Sequence, residues 1–429
     1  AQPVQLFAPL QAAGGAVTFT DPADNGQPRR YHVVAEPGVR APAAVRAPVP
    51  LSGAAGADYL IISHPDFIPA LGPLMALREA QGWRVAVEDV RAVYDAAGAG
   101  RPTPEALRAF LTTVYHTWSP RPAYIVLVGD GTYDPRRYRA DSQPTFIPPY
   151  LADVDPYLGE TAADNRLVAV YGADALPDFA LGRLPVNSLA EAQTVVAKLV
   201  GYETAPPAGE WSRRALFVAD DADAGGDFPA DADAWAQTLP AAWTTQRAYY
   251  SAGDAALAET RAALAGAWYS GVGVVVYNGH ASPRQWGAEV FLHLDTPDVP
   301  HVAALWNGGR LPIVLEMTCL TGSFQDAARP ALDEALLRAP AGGAVGVWGA
   351  TGLGISAGHA VLATTFLTRL YQAEAPWVGP AAVAGKLQLI LTAQSLDLVD
   401  TFLWLGDPAT AVRLTVSPAY PVFLPVIRR

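Results

Sequence analysis

At 429 residues, 51% of them apolar, the chain is long enough to bury one large core or two adjoining ones, and a formal net charge of -12 leaves no basic stripe of the kind that phosphate backbones require. Nucleic acid is therefore not an expected partner, and no membrane span is expected, because no run approaches the roughly 18 uninterrupted apolar residues that one needs. The single cysteine, Cys319, excludes a disulfide framework and a Cys-rich zinc site.

The N-terminus, Ala1-Gln2-Pro3-Val4, lacks a charged segment followed by an apolar one, so any secretory leader is expected to be absent from this chain. Residues 1–56 are rich in Pro, Ala and Val, with a strand-like piece at 31–34 and a linker over 38–57, and read as an N-terminal arm or truncated β-module. From Asp58 onward, short β-rich runs alternate with helical stretches, the pattern of an α/β fold whose mainly parallel sheets are covered by helices. Strands are predicted at 59–63, 84–88, 124–128, 215–219, 273–277, 312–317 and 344–348. Thr103-Pro104-Glu105 puts a capping hydroxyl before a proline at the first helical position, Ser188 to Glu191 fits a capping box, and Gly82 stops the helix ending near Gln81. Pro206, Pro207 and Gly209 separate the helix 189–202 from the next strand. The expected organisation is a first α/β subdomain over 57–205, a second, catalytic one over 206–415, and an edge strand or linker over 416–429. There is no internal repeat.

Two of the predicted strands carry the chemistry. Gly273-Val274-Val275-Val276-Tyr277-Asn278-Gly279-His280 delivers a histidine at its carboxyl end, and Pro312-Ile313-Val314-Leu315-Glu316-Met317-Thr318-Cys319 does the same for the cysteine. Ligands of open α/β sheets bind beyond the carboxyl ends of the strands, so the two side chains lie in the expected place if these strands are neighbours. A free thiol has a pKa near roughly 8.5 and needs an adjacent base or cation to act as a nucleophile; His280 is a candidate for that group. The bland reading is a small buried cysteine and a histidine that caps a turn, and spacing alone does not establish contact.

Other motifs carry less. Gly354-Ile355-Ser356-Ala357-Gly358 matches a serine nucleophile elbow, but the only later histidine, His359, sits three residues away in the same predicted helix and no separate loop can bring a base. Gly352-Leu353-Gly354 followed by Ala357 brushes against the dinucleotide fingerprint, yet the acid some 20 residues on, Glu374, follows a helical run and not a second strand.

Tyr277-Asn278-Gly279-His280, Trp286-Gly287 and Thr318-Cys319-Leu320-Thr321-Gly322-Ser323-Phe324 resemble the histidine and cysteine motifs of the gingipain family of caspase-like (clan CD) cysteine peptidases. Val126-Leu127-Val128-Gly129-Asp130, Phe179 to Pro185 and Trp404-Leu405-Gly406-Asp407-Pro408 extend the resemblance, which covers about 58–414. It implies a caspase-like three-layer sandwich of two adjoining subdomains. It further implies a secreted or cell-surface, extracellular endopeptidase in which the Cys319 thiolate attacks the peptide carbonyl, His280 protonates the leaving amine and water hydrolyses a thioester. Backbone amides of Cys319 and Ala281 would form the oxyanion hole; most relatives have glycine after the histidine, and alanine keeps the N–H. An acid from the loop after the strand at 215–219 would orient His280, with Asp220 and Asp221 the nearest candidates. The specificity pocket would comprise Asp231, Asn278, Gly279, Met317 and Ser356, with Asp231 favouring Arg over Lys before the scissile bond. No cofactor is implied for the chemistry, whereas Asp231 and Asp233 offer either a specificity group or ligands for a structural calcium ion. The mechanism implies rapid alkylation of Cys319 in the native state. The alternative is a catalytically silent or transpeptidase-like relative acting as a binding or processing domain.

Overall fold

The computed structural model describes residues 11–13, 16–18, 46–372 and 377–412; the strand expected at 31–34 and the segment 416–429 lie outside them. Gln11–Ala13 pairs antiparallel with Ala16–Thr18 in the unit formed by residues 1–47. The second unit begins at Pro48 and is built on one ten-stranded sheet. Its strands, in chain order, are β1 (Tyr59–Ser63), β2 (Val85–Asp89), β3 (Tyr124–Val128), β4 (Ala180–Leu184), β5 (Arg214–Ala219), β6 (Thr244–Tyr249), β7 (Val274–Asn278), β8 (Ile313–Met317), β9 (Gly346–Ala350) and β10 (Phe402–Leu405). Their spatial order is β6-β5-β7-β8-β9-β10-β4-β3-β1-β2. All neighbours are parallel except β9 and β10, so two parallel halves run in opposite directions and β10 is the seam between them.

Strands buried on both faces read as continuous apolar runs, which is why β1, β3, β7 and β8 were legible. The three strands absent from the sequence prediction break that pattern. β4 carries Gly182 and Arg183 in its middle, β6 is a polar edge strand, and β10 is only four residues long. Alternation along the strands feeds two faces. Ile61, Val126, Phe217, Val276 and Leu315 join a core that crosses both halves and packs on α1 (Gly72–Ala80), α4 (Leu189–Thr204), α5 (Phe228–Ala236), α8 (Ser356–Gln372) and α9 (Val378–Thr392). On the other face the cover is split: α2 (Val90–Gly98) and α3 (Pro104–Thr117) over the first half, α6 (Asp254–Ser270) and α7 (Leu332–Arg338) over the second. The result is the expected three-layer α/β sandwich, and no helix among the described residues is long and apolar enough to cross a membrane.

The seam brings together two segments that stood out in the sequence. The Gly406 N–H donates to the Arg183 carbonyl at 2.9 Å, and Gly182 lies so close that a Cβ there would meet the Gly406 oxygen at 2.2 Å. Both ends of the seam are tied by buried arginines. Arg183 pairs with Asp164 at 2.7 Å and donates to the Gly129 and Ile147 carbonyls. Arg78, on α1, pairs with Asp407 at 2.6 Å and Glu203 at 2.8 Å. Removing one member of a buried pair leaves a charge without its partner, which costs about 3–5 kcal/mol. Asp407→Asn is therefore expected to lower unfolding stability by about 3 kcal/mol, since Glu203 still faces Arg78; urea denaturation with an unchanged midpoint would show that the pair does not hold the seam.

Candidate active site

β7 and β8 pair in parallel from Val274↔Ile313 to Asn278↔Met317, and both strands are buried along their whole length. His280 and Cys319 each stand two residues beyond the last pair, so the register carries them to the same level at the carboxyl edge. The Thr318 hydroxyl extends the pairing by one step, donating to the Gly279 carbonyl at 2.6 Å. Gly279 has φ +154°, and a Cβ there would meet Asp220 Cβ at 2.5 Å and Tyr277 Oη at 2.8 Å. Only glycine lets the chain turn here without pushing Asp220 away.

The His280 backbone is clamped on both sides: its N–H donates to Asp220 Oδ2 at 3.2 Å, and its carbonyl accepts from Tyr277 Oη at 2.5 Å and the Gly287 N–H at 2.8 Å. The ring stands in solvent, edge-on to Phe228 at 5.3 Å, with Nε2 3.0 Å from Asp223 Oδ2. The two side chains are 55% and 47% exposed, so this pair orients the ring more than it stabilises the fold. The Gly225 N–H, and after it the His280 ring, hold the Asp223 carboxyl below the usual carboxylate range. The acid on the ring is thus Asp223. Asp220 lies beneath the histidine, buried, and binds its backbone; burial pushes its pKa up to about 6. Asp221 is half-buried and turns its N–H onto Asp220. The expectation of Asp220 or Asp221 as the orienting acid fails because the chain needs two more residues to leave the sheet edge and return over the ring. The acidic run Asp220-Asp221-Ala222-Asp223 is the signal in the sequence, and its last member is the one that returns to the ring.

Cys319 is half-buried, and its thiol sits 3.7 Å from the Gly354 carbonyl. Burial raises its pKa; the Gly354 contact opposes this and the Asp155 charge adds to it. The cysteine loop is pinned to the loop after β9, with the Leu320 N–H on Gly352 and the Gly322 N–H on Ala350, both at 2.9 Å. Beneath it lie Glu316 and Asp333, fully buried; burial lifts Glu316 to about 7 and Asp333 well above its ordinary value. The Cys319 N–H has no acceptor among the described residues. Ala281 opens a short strand and is not among the residues with positive φ, so alanine is accommodated there.

The remaining predicted residues separate. Asp231, in the first turn of α5, accepts from Ser356 Oγ at 3.0 Å at the start of α8. Asn278 is buried and donates to the Phe228 carbonyl at 3.1 Å, which fixes α5 against β7. Met317 is fully buried in the core and packs the sheet, in place of the pocket role expected of it. Asp233 points away to Arg247 at 2.6 Å and Tyr249 at 3.0 Å. Asp231 and Asp233 thus face different partners, and no group of three or more His, Cys, Asp or Glu suited to a metal occurs among the described residues. Ser356 has Asp231, not a histidine, as its partner; His359 is buried, with its pKa pushed down to about 4.

Half-burial and the raised pKa of the thiol favour slower alkylation than the family resemblance implies. Iodoacetamide should modify Cys319 more slowly at pH 7 than it modifies a small free thiol, with a rate that climbs as pH passes upward through and beyond roughly 8.5. A rate already at its plateau at pH 7 would mean a resting thiolate.

A profile of Peptidase family C25 matches residues 53–413. Gingipain R2 of Porphyromonas gingivalis is 24% identical over 244 residues, 55% of this chain and 29% of the relative; gingipain R1 of the same organism is 24% identical over 244 residues, 55% of this chain and 22% of the relative. The chain thus spans less than a third of the length of these relatives. Among solved structures, the Arg specific cysteine proteinase gingipain R superposes with a TM-score of 0.68 at 20% identity, covering 85% of this chain and 80% of that one. The complex of gingipain pro- and mature domains from Porphyromonas gingivalis gives 0.68 at 20% identity, with 83% and 79% covered. The sandwich is the caspase-like fold of these structures, and with the family profile spanning most of its length the chain belongs to Peptidase family C25, the gingipain family of cysteine peptidases.

Proposed function

We propose that the chain is an extracellular, secreted or cell-surface endopeptidase in which Cys319 and His280 cleave peptide bonds, preferring Arg before the scissile bond. The observation that carries this reading is the parallel register of β7 and β8, which sets the two reactive side chains at one level of one sheet edge. With Nε2–H donated to Asp223, the lone pair of the neutral imidazole is on Nδ1. His280 takes the thiol proton as the sulfur attacks the carbonyl carbon, then gives it to the leaving amine; water subsequently hydrolyses the thioester. A neutral resting thiol suits this order, since proton and attack move together only once substrate displaces water from the cleft. The free Cys319 N–H, with that of Ala281, supplies donors for the oxyanion. Among the described residues Asp231 has a hydroxyl and no cation on it, so a guanidinium can take one edge of the carboxylate in a fork.

Cys319→Ala and His280→Ala should each abolish hydrolysis of a peptide library, read by mass spectrometry, while leaving the unfolding midpoint within the range of a surface change. Near wild-type turnover in either would exclude the pair as the reacting groups. Asp231→Ala should reduce kcat/KM after Arg by about 10–100-fold, as expected for the loss of a charged bidentate contact, and change cleavage after neutral residues little. A wild-type profile dominated by acidic or small apolar residues at that position would remove Asp231 from this role and leave the cysteine chemistry standing.

A further inference from the structure

A hairpin inserted between β3 and β4, formed by Leu151–Asp155 and Gly159–Ala162, reaches from the first half of the sheet to the loop that follows β9 in the second. One buried carboxylate makes the join. Asp155 Oδ1 accepts from the N–H groups of Tyr157 and Leu158 at 2.8 and 2.9 Å, and Oδ2 accepts from the Leu353 N–H at 2.6 Å. The fit is close enough that a Cβ on Gly352 would meet Asp155 Oδ2 at 2.3 Å. Thr161 and Thr351 lash the base of the hairpin to the same loop, hydroxyl to carbonyl in each direction at 3.0 and 2.6 Å, and Gln325 bridges both.

The loop 351–356 serves three partners in succession: the hairpin at 351–353, the cysteine thiol at the Gly354 carbonyl, and Asp231 at Ser356. Large apolar side chains stand in solvent along it. Tyr157 is 64% exposed, Leu158 52%, Ile355 50% and Leu396 52%. The turn holding Leu396 abuts the loop, because a Cβ on Gly354 would meet Leu398 Cδ2 at 2.9 Å. Exposed apolar side chains gathered around a fixed polar anchor mark a contact surface more often than scattered ones do. Here the anchor is the loop that also holds the thiol, so whatever covers the patch must pass the nucleophile.

We propose that the hairpin tip, Tyr157 and Leu158, together with Ile355, forms a second subsite that binds an apolar side chain of the peptide lying across Cys319. The assignment rests on the peptidase reading for the identity of its occupant. Asp155 is the positioning residue of this subsite: it holds the tip and the loop on one carboxylate and so fixes the distance between the apolar wall and the thiol. Burying one apolar side chain against such a wall is worth about 10–100-fold in affinity.

The test uses the full chain and two readouts. Fluorescein-labelled hexapeptides containing one Arg, with Leu or Ser at the other positions in turn, are bound to the Cys319→Ala chain and followed by anisotropy. Leu at one position is expected to tighten binding about tenfold over Ser, and adding Tyr157→Ser with Leu158→Ser should erase that gap. These two substitutions replace exposed side chains, and Asp155→Asn, which keeps one oxygen for the tip, should shrink the gap without erasing it. A gap that is absent, or that survives the double substitution, overturns the subsite. Cleavage of the same peptides by the wild type keeps the two readings apart. A binding gap without cleavage retains the subsite and removes the hydrolase, whereas cleavage without a gap does the reverse.

Discussion

The parallel pairing of β7 with β8 is the constraint on which the site depends. Five consecutive residues on each strand are buried, so a slip of one residue would exchange the two packed faces and push Tyr277 and Glu316 into the layer that now receives Val276 and Leu315. The register is therefore held by the hydrophobic effect over the whole strand and not by any contact at the site. His280 and Cys319 inherit their common level from it. What the local residues add is direction: Gly279 turns the chain outward, the Thr318 hydroxyl keeps the two strand ends together, and Asp220 and Tyr277 fix the histidine backbone from below.

Burial sets the electrostatics around the cysteine. Two carboxyl groups lie under the cysteine loop, but burial favours their protonated forms. Asp223, whose carboxyl is held below the usual carboxylate range, is out in solvent on the histidine. Charge thus sits where it can stabilise an imidazolium, and the thiol keeps its proton in a half-buried position.

The sequence spoke clearly where a residue's role is set by its own strand. His280 and Cys319 follow uninterrupted apolar runs, and the glycine before the histidine announces the turn. It was silent where a role depends on a partner far along the chain. Arg183 looks like a reason to reject β4 as a buried strand until Asp164 and two carbonyls are seen around it. Met317 sits next to the motif but is core, because two-residue alternation groups it with Ile313 and Leu315 on the face of β8 that packs into the cluster crossing both halves. Asp223 was visible as part of an acidic run, yet which acid returns to the ring depends on the tight turn between Asp223 and Gly226, not on distance from the strand. The hairpin carrying Asp155 is not among the strands predicted from the sequence, and the acceptor role of Asp155 appears only with Leu353 beside it.

The seam also sets an order for synthesis. β4 is complete at Leu184, but its partner β10 begins at Phe402, roughly 220 residues later. At about 5–20 residues per second, a ribosome needs about 10–45 s to supply it. Throughout that interval the nascent first half has an open β4 edge with unpaired backbone groups, and the Arg78 guanidinium still lacks its Asp407 partner. An unpaired edge of this kind invites pairing with another chain. A translational pause between residues 184 and 402 would therefore prolong the exposure of that edge, whereas the same pause ahead of β4 would not.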